Sequence, residues 1–384
     1  MKKIDVKALY NLPDEVRYCT RCTVSNQRPR IRLDEEGVCN ACRFAERKNG
    51  TIDWETRDRE LGDLCHRFRR TDGRFDVIVP SSGGKDSGVV AHMLKHNFGM
   101  HPLTVTWAPN MYTEIGWQNF QALIGAGFDN ILGTPNGQVH RKLTRICLEE
   151  MGEPFQPFIL GQVWFPVKAA IQYGVPLIMD GENGEAEYGG NPETDDKPGF
   201  TVEDANRYWF SNRPLAQWLE YGFTENDFTL YAPPPEDELH KAKIERHFFS
   251  YYRKWAPQEH FYYCTEHTGF QPNPDGRSEG TYSKYSSLDD RIDGFHFWFM
   301  LLKFGIGRAT SDSSQEVRNG QLVREEAVAL VRRYDTEFPK KHFMEFLEYC
   351  QISEDHFWDI CEKWRNENLW KKIGNEWALR HQVS

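Results

Sequence analysis

Short apolar runs alternate with longer amphipathic stretches in the middle of the chain, between residues 75 and 180. Four runs have the length of buried strands: 75–79, 101–107, 129–133 and 175–180. The other stretches have the spacing of helices, at 86–98, 115–126, 136–151 and 161–173. Strands that alternate with helices are typical of βαβ units, whose strands pair in parallel. The pattern therefore predicts an α/β fold with a doubly wound parallel sheet.

The pattern changes on both sides of this region. Residues 51–72 are charged and place Trp54, Leu61 and Leu64 roughly on one face, which predicts a linking helix. Residues 181–290 break the alternation, and their turn residues and many aromatic residues favour a lid or a binding surface. Helical apolar spacing returns at 289–304, 324–334, 338–349 and 354–378.

Five parts follow from these changes of pattern. We expect an N-terminal unit (1–50), a linker helix (51–74), an α/β domain (75–190), a substrate or lid region (191–290) and a helical C-terminal region (291–384).

Composition and charge exclude several classes of protein. The 384 residues are sufficient for a large core and for two or three structural units. No apolar run approaches the ~18 residues that span a bilayer, and no apolar signal core follows the two lysines near the start. The formal net charge of −10 disfavours a nucleic acid partner, because such proteins usually carry a basic stripe. We therefore expect a cytoplasmic protein with neither membrane insertion nor a nucleic acid partner.

Four of the nine cysteines form two Cys-x-x-Cys pairs near the N-terminus, Cys19 with Cys22 and Cys39 with Cys42. This spacing is typical of a four-thiolate zinc site, in which two tight turns supply two ligands each. Thiolates select a soft tetrahedral ion, and an iron–sulfur cluster is the rival interpretation. With four protein ligands no position stays open for substrate, so the expected role is structural. The five other cysteines are isolated, which fits a reducing compartment.

The segment from Ser82 to Ser87 reads Ser-Gly-Gly-Lys-Asp-Ser and directly follows the first predicted strand. Adjacent glycines between a strand and a helix expose backbone N–H groups at the positive end of the helix, a geometry that binds phosphate. The segment lacks the Walker A spacing. It resembles the pyrophosphate loop of the ATP-pyrophosphatase superfamily, an adenine nucleotide α-hydrolase-like fold. Members use that loop to hold the β- and γ-phosphates of ATP while the α-phosphorus is attacked.

Roles within this loop follow from residue chemistry. The N–H groups of Gly83 and Gly84 would bind phosphate oxygens, the hydroxyls of Ser82 and Ser87 would donate to them, and Lys85 would supply a positive charge. Asp86 opens the helix, so it could cap the helix, hold Mg²⁺, or do both. The superfamily resemblance implies that adenine lies beside the end of the second strand, near Val105 to Trp107, with Thr106 among the residues that bind the nucleotide.

Two further clusters are candidates for the site. Gly181, Glu182 and Asn183 follow a strand end, where oxygen-bearing side chains suit Mg²⁺ or a polar substrate. Lys303 and Arg308 lie near glycines that allow close approach to an anion, such as departing pyrophosphate. A solvated acidic loop and a helix C-cap are the corresponding structural interpretations.

Over most of its length the chain resembles the N-acetyl sugar amidotransferases of bacterial surface-polysaccharide and flagellin-glycan biosynthesis. The resemblance rests on the two cysteine pairs, the Ser-Gly-Gly-Lys-Asp-Ser loop and four later motifs. These motifs are Gly181-Glu-Asn-Gly with Tyr188-Gly-Gly190, Ser287-Leu-Asp-Asp-Arg-Ile-Asp293, Lys303-Phe-Gly-Ile-Gly-Arg308 and Arg324-Glu-Glu326. The chain has some fifteen additional residues before the first cysteine pair.

The resemblance implies an ATP-dependent reaction in which the N-acetyl oxygen of a sugar is adenylated and then replaced by ammonia. The product is an acetamidino sugar, with AMP and pyrophosphate released. Lys85, Asp86, Lys303 and Arg308 are the residues expected to act in catalysis, and ATP, Mg²⁺ and Zn²⁺ are the expected cofactors.

The chain shows no recognisable glutaminase nucleophile, because it begins Met-Lys-Lys and no isolated cysteine lies in a Gly-x-Cys-x-Gly setting. The resemblance therefore implies separate partners, a glutaminase and a barrel subunit similar to those of imidazole glycerol phosphate synthase. The alternative function is a tRNA sulfurtransferase of the same superfamily. That alternative needs paired cysteines near the ATP site, which Cys147 and Cys264 would supply only if the fold brought them together.

Overall fold

The structure is a computed structural model that describes residues 2–201 and 215–384. Five parallel strands form its central sheet in the order β3-β2-β1-β4-β5. Their bounds are β1 Val77–Pro80, β2 Pro102–Trp107, β3 Asp129–Gly133, β4 Leu177–Asp180 and β5 Glu245–Phe248. The chain leaves the central strand β1 first towards β2 and later towards β4, so the predicted doubly wound sheet is confirmed. The strand order reverses beside β1, where such sheets bind their ligands.

The described ranges contain sixteen α-helices. The first eight are α1 Val6–Tyr10, α2 Asn40–Gly50, α3 Trp54–Phe68, α4 Lys85–His96, α5 Glu114–Gly125, α6 Gly137–Met151, α7 Gln156–Tyr173 and α8 Gly184–Tyr188. The others are α9 Glu236–Ala242, α10 Phe249–Tyr252, α11 Pro257–His267, α12 Asp293–Phe304, α13 Arg308–Arg318, α14 Arg324–Tyr334, α15 Phe343–Cys350 and α16 Glu354–Trp364. A hairpin of β6 Trp370–Ile373 and β7 Glu376–Leu379 follows.

Separate hydrophobic cores cover the two faces of the sheet, because successive strand residues point to opposite sides. Ile78 packs with α6 and α7 in one core, whereas Val77 and Val79 pack with α3, α4 and α11 in the other. Cys147 belongs to the first core and Cys264 to the second. The sheet therefore separates the two cysteines that a sulfurtransferase would have to bring together.

Two sequence expectations for the fold were wrong in detail. No strand was predicted between residues 181 and 290, yet β5 lies there; its polar sequence Glu-Arg-His-Phe carries no apolar run. A continuous helix was predicted at 354–378, but α16 ends at Trp364 and a two-residue turn, Gly374-Asn375, joins the strands of the hairpin. Gly-Asn between strands is a hairpin signal that the helical pattern obscured.

The C-terminal helices pack around a third core and lie against the N-terminal unit. Phe295 stacks on Phe346 with ring centroids 4.0 Å apart, and both side chains are fully buried. Across the described ranges, no helix has both the length and the apolar character that crossing a bilayer requires.

Candidate active site

The loop between β1 and α4 holds its backbone in a conformation that needs glycine. Gly83 has φ +87°, and a Cβ there would lie 2.5 Å from the Phe120 Cα. Gly84 is the N-cap of α4 with φ −70°, and in the described part of the chain no side chain caps this helix. The first N–H groups of α4 are therefore available to an anion.

Hydroxyl groups brace the loop from inside. The Ser81 and Ser87 Oγ atoms are 2.8 Å apart, Ser81 Oγ accepts from the Gly83 N–H at 3.2 Å, and Ser87 Oγ donates to the Gly84 carbonyl at 3.2 Å. Ser87 was predicted to donate to phosphate, and here its hydroxyl bonds within the loop. Ser81 was missed by the sequence analysis, although it stands beside the motif. Ser82 lines two cavities.

Lys85 and Asp86 form an ion pair at the first turn of α4, and a third residue, His260 of α11, donates from Nδ1 to Asp86 at 2.9 Å. Burial opposes ionisation of Asp86, but the Lys85 ammonium and the His260 hydrogen bond outweigh it and hold the pKa of this carboxyl below its usual range. Cys264 Sγ donates to the Lys85 carbonyl at 3.0 Å. His260 carried no sequence signal, because it lies 174 residues from Asp86.

A cavity of about 380 Å³, here called the sheet-edge cavity, opens beside the loop. Its walls include Val105 and Trp107 at the end of β2, Gly181 and Glu182 after β4, and the loop itself. Thr106 lies elsewhere, because its buried hydroxyl donates to the Ser81 carbonyl inside the sheet. At the end of β2, Val105 and Trp107 therefore line this cavity, whereas Thr106 does not.

Oxygen-bearing side chains after β4 divide into structural and available groups. Asp180 accepts hydrogen bonds from two of the three guanidinium nitrogens of Arg246, Nε at 2.6 Å and Nη2 at 2.8 Å. Asn183 is buried and caps α8, accepting from the Glu185 N–H at 3.1 Å. Glu182 faces the sheet-edge cavity, where burial and then the Asp86 carboxylate raise its pKa to about 7. Of the predicted trio, Glu182 and the Gly181 backbone line the cavity and Asn183 supports the turn.

A second cavity of about 290 Å³, the C-terminal cavity, is lined by Lys85 and Asp86 as well. Tyr188, Arg308 and residues of α13 form its walls. A smaller cavity of about 210 Å³ beneath Arg308 reaches Gly83 and Gly84. Asp86 lines all three cavities, so it marks the point where they meet.

Arg308 and Lys303, predicted together, are placed in different surroundings. Arg308 begins α13, pairs with Asp312 at 3.2 Å and lines the C-terminal cavity. Lys303 is buried in the C-terminal core, where its Nζ donates to the Met151 carbonyl at 3.2 Å and burial lowers its pKa. The side chain of Lys303 lies among the rings of Tyr10, Phe304 and Trp364. This placement argues against the predicted anion role of Lys303, whose position just before two glycines in the sequence gave no indication of which way its side chain points.

The four N-terminal cysteines converge as their spacing predicted. All are buried and their sulfur atoms lie within 4.8 Å of one another. The Cys19–Cys42 and Cys22–Cys39 sulfur pairs are 3.9 and 3.7 Å apart. Tetrahedral Zn–S bonds of ~2.3 Å place sulfurs about 3.8 Å apart, whereas a disulfide requires about 2.05 Å. The residues present therefore fit a structural zinc ion.

The N-terminal unit that carries the four cysteines, here called the zinc-type unit, contacts the turn that contains Tyr188. The Arg28 guanidinium donates to the carbonyls of Tyr188 and Gly189. Lys48 and Glu187 form a buried ion pair at 2.8 Å. Val24 and Arg28 of the N-terminal unit line the C-terminal cavity, so this unit forms part of the cavity wall.

One family model matches part of the chain. Residues 279–383 match the family described as LPS biosynthesis protein WbpG-like, C-terminal domain. The matched segment contains α12–α16, the hairpin and Arg308, and it confirms the resemblance to a family of lipopolysaccharide and glycan biosynthesis. No curated protein matches the chain.

Proposed function

We propose that this protein is an ATP-dependent amidotransferase that acts on an N-acetyl sugar of lipopolysaccharide or related glycan biosynthesis. The observation that carries the proposal is the position of the Ser-Gly-Gly-Lys-Asp-Ser loop. It lies at the reversal of strand order, and its residue Asp86 lines both a cavity beside the sheet and a cavity beside the C-terminal helices. A nucleotide on one side and a sugar on the other would meet at this loop.

The sheet-edge cavity suits the nucleotide. Trp107 would offer an aromatic surface for adenine, while the uncapped N–H groups at the start of α4 would bind the phosphates. Lys85 on one side and Arg308 on the other would neutralise the charge that develops on departing pyrophosphate. The Asp86 carboxylate is ionised and, with Glu182, offers hard oxygen ligands that fit Mg²⁺, which would neutralise phosphate charge when bound.

The C-terminal cavity suits the sugar. The acetamido oxygen would attack the α-phosphorus, and the P–O bond to pyrophosphate would break. Ammonia would then add to the activated carbon, AMP would leave with the former amide oxygen, and loss of a proton would give the amidine. This order solves the chemical problem that an amide oxygen is a poor leaving group.

We propose that partner proteins supply the ammonia that this reaction consumes. The five isolated cysteines are buried, and none of them lies in a Gly-x-Cys-x-Gly setting. We therefore propose that a separate glutaminase, working with a barrel subunit, delivers ammonia to the site. The purified chain should use ammonium but not glutamine, and its rate should rise with pH above neutrality because only unprotonated ammonia carries a lone pair.

The test combines the chain with ATP, Mg²⁺, ammonium and a panel of N-acetyl sugars and N-acetyl sugar nucleotides. Mass spectrometry should show a product in which one oxygen atom is replaced by NH, together with AMP in equal amount. ADP as the nucleotide product would contradict the proposal. Release of glutamate from glutamine by the chain alone would contradict the separate ammonia source.

A further inference from the structure

Arg28 is a partly buried cation that lines the C-terminal cavity. Its hydrogen bonds go to two backbone carbonyls, those of Tyr188 and Gly189. Within residues 2–201 and 215–384, Arg28 forms no ion pair with a carboxylate. Burial, and then the nearby charge of Arg30, lower the pKa of Arg28 to about 10. A partly buried guanidinium without a carboxylate partner would form a charge-assisted hydrogen bond with an anion that enters the cavity.

Two carboxylates around Arg28 already have partners: Glu185, whose charge acts on Arg28, and Asp86, which lines the same cavity. Glu185 is paired with Arg30 at 2.6 Å and also accepts from the Asn191 N–H at 2.7 Å. Asp86 is bonded to Lys85 and His260. These carboxylates therefore leave the charge of Arg28 without a partner of its own.

Two other acidic residues that line the C-terminal cavity, Asp312 and Glu316, also have partners. Asp312 pairs with Arg308, and Glu316 accepts hydrogen bonds from the hydroxyls of Tyr282 and Tyr285 at 2.6 and 2.8 Å. Burial raises the pKa of Glu316, which reduces its negative charge further.

A second guanidinium adds to the positive excess. Arg318 lines the same cavity and is 94% buried, since its exposed fraction is 6%. Its Nε is buried and without a hydrogen-bond partner in the part of the chain that the structure describes. One Arg318 nitrogen lies 3.7 Å from Cys22 Sγ, so the thiolates share its charge. Among the described residues, Arg28 differs from Arg318 in having neither a carboxylate nor a cysteine sulfur as a hydrogen-bond partner.

We infer that Arg28, carried by the zinc-type unit, is a specificity residue that binds an anionic group of the sugar, either a carboxylate or the diphosphate of a sugar nucleotide. The inference rests on the proposed function for the identity of the sugar as N-acetylated. It gives the N-terminal unit a role in substrate choice: the metal would fix the segment that places Arg28 beside Tyr188, within the same cavity as Lys85 and Asp86.

Calorimetric titration of the full zinc-loaded chain, without ATP, tests this inference. Three probes separate the possible anions: UDP-N-acetylglucosamine carries a diphosphate, N-acetylneuraminic acid carries a carboxylate, and N-acetylglucosamine is neutral. At least one anionic probe should bind about tenfold or more tightly than the neutral probe, as expected for a charge-assisted hydrogen bond. This preference should shrink as salt is raised.

Variants assign the preference to Arg28. Arg28→Gln should bring the anionic probe to the affinity of the neutral probe, while Arg28→Lys should keep part of the preference. The matched control is Arg30→Gln, since Arg30 belongs to the same segment but pairs with Glu185; it should leave the preference intact. Equal losses for anionic and neutral probes in Arg28→Gln, or no preference in the unmodified chain, would overturn the inference.

AMP formation, measured in parallel, separates the two claims. Anion preference without AMP formation would refute the proposed reaction and leave the binding site standing. AMP formation without anion preference would refute the role of Arg28.

Discussion

The sheet-edge cavity and the C-terminal cavity, which meet at the Ser-Gly-Gly-Lys-Asp-Ser loop, are built from different kinds of segment. The sheet-edge cavity takes its walls mainly from the ends of neighbouring strands and from the loop after β1, so most of it follows from one fold rule. The C-terminal cavity joins segments separated by hundreds of residues: the zinc-type unit with Arg28, the turn with Tyr188, and α13 with Arg308. The first can be anticipated from motif and topology, whereas the second exists only because distant segments pack together. If this comparison is correct, the two cavities should respond differently to substitution.

The largest effect should come from the metal that organises the second cavity. Cys39→Ser removes one of four buried sulfurs, and we expect it to lower the free energy of unfolding by on the order of 5 kcal/mol, because structural zinc supplies ~10 kcal/mol or more. Metal analysis together with denaturant unfolding measures this. Cys65→Ser, at a buried cysteine outside the cluster, is the control and should retain one zinc per chain. If the chain without metal unfolded with the same free energy as the untreated chain, a structural zinc ion would be ruled out.

A smaller effect is expected from the loop that bounds the sheet-edge cavity. Gly83→Ala should lower stability by roughly 2–4 kcal/mol, because Gly83 has φ +87° and a Cβ would meet the Phe120 backbone. Gly84→Ala is the matched variant: at φ −70° with the nearest atom 3.5 Å away, it should cost less than about 1 kcal/mol and impair mainly ATP cleavage. Urea unfolding and ATP turnover measure the two effects. Similar stability losses in both variants would show that the loop conformation is misassigned.

Arg308 and Lys303 compare a cavity residue with a core residue on adjoining helices. Arg308→Gln should reduce AMP formation by about 100-fold, the usual cost of losing one charged donor to a developing anion. Lys303→Met should change the free energy of unfolding and leave the rate of AMP formation essentially unchanged, since its ammonium lies among aromatic rings of the core. Steady-state kinetics on both variants decide the matter. A matching loss of rate in Lys303→Met would restore the catalytic role expected from the sequence.

The smallest effect concerns pH and Glu182. Its folded pKa of about 7 exceeds the ordinary 4.5, so the folded chain binds the proton more tightly than the unfolded chain does. Glu182 therefore favours folding fully below pH 4.5, and this contribution is lost as pH rises from 4.5 to about 7. Glu182→Gln should reduce that fall in stability by on the order of 1–2 kcal/mol, measured without ATP or Mg²⁺. An identical pH profile in the variant would show that Glu182 ionises normally.

Prediction from sequence succeeded where local spacing fixes geometry. The four strands with apolar runs, the loop after β1 and the four converging cysteines all follow from patterns within a few tens of residues. It failed for β5, whose polar residues are held at the sheet edge by the Arg246–Asp180 pair, and for the hairpin after Trp364. It could not find His260 or assign Arg28, because their roles depend on contacts between residues far apart in the chain.

The central claim is that the two cavities serve two halves of one reaction at Lys85 and Asp86. Exchange of labelled pyrophosphate into ATP, in the presence of an N-acetyl sugar and the absence of ammonium, tests it most directly. The account predicts exchange that requires the sugar and is lost in Asp86→Asn while the chain stays folded. Exchange that proceeds equally without any sugar, or cleavage of ATP to ADP, would contradict it.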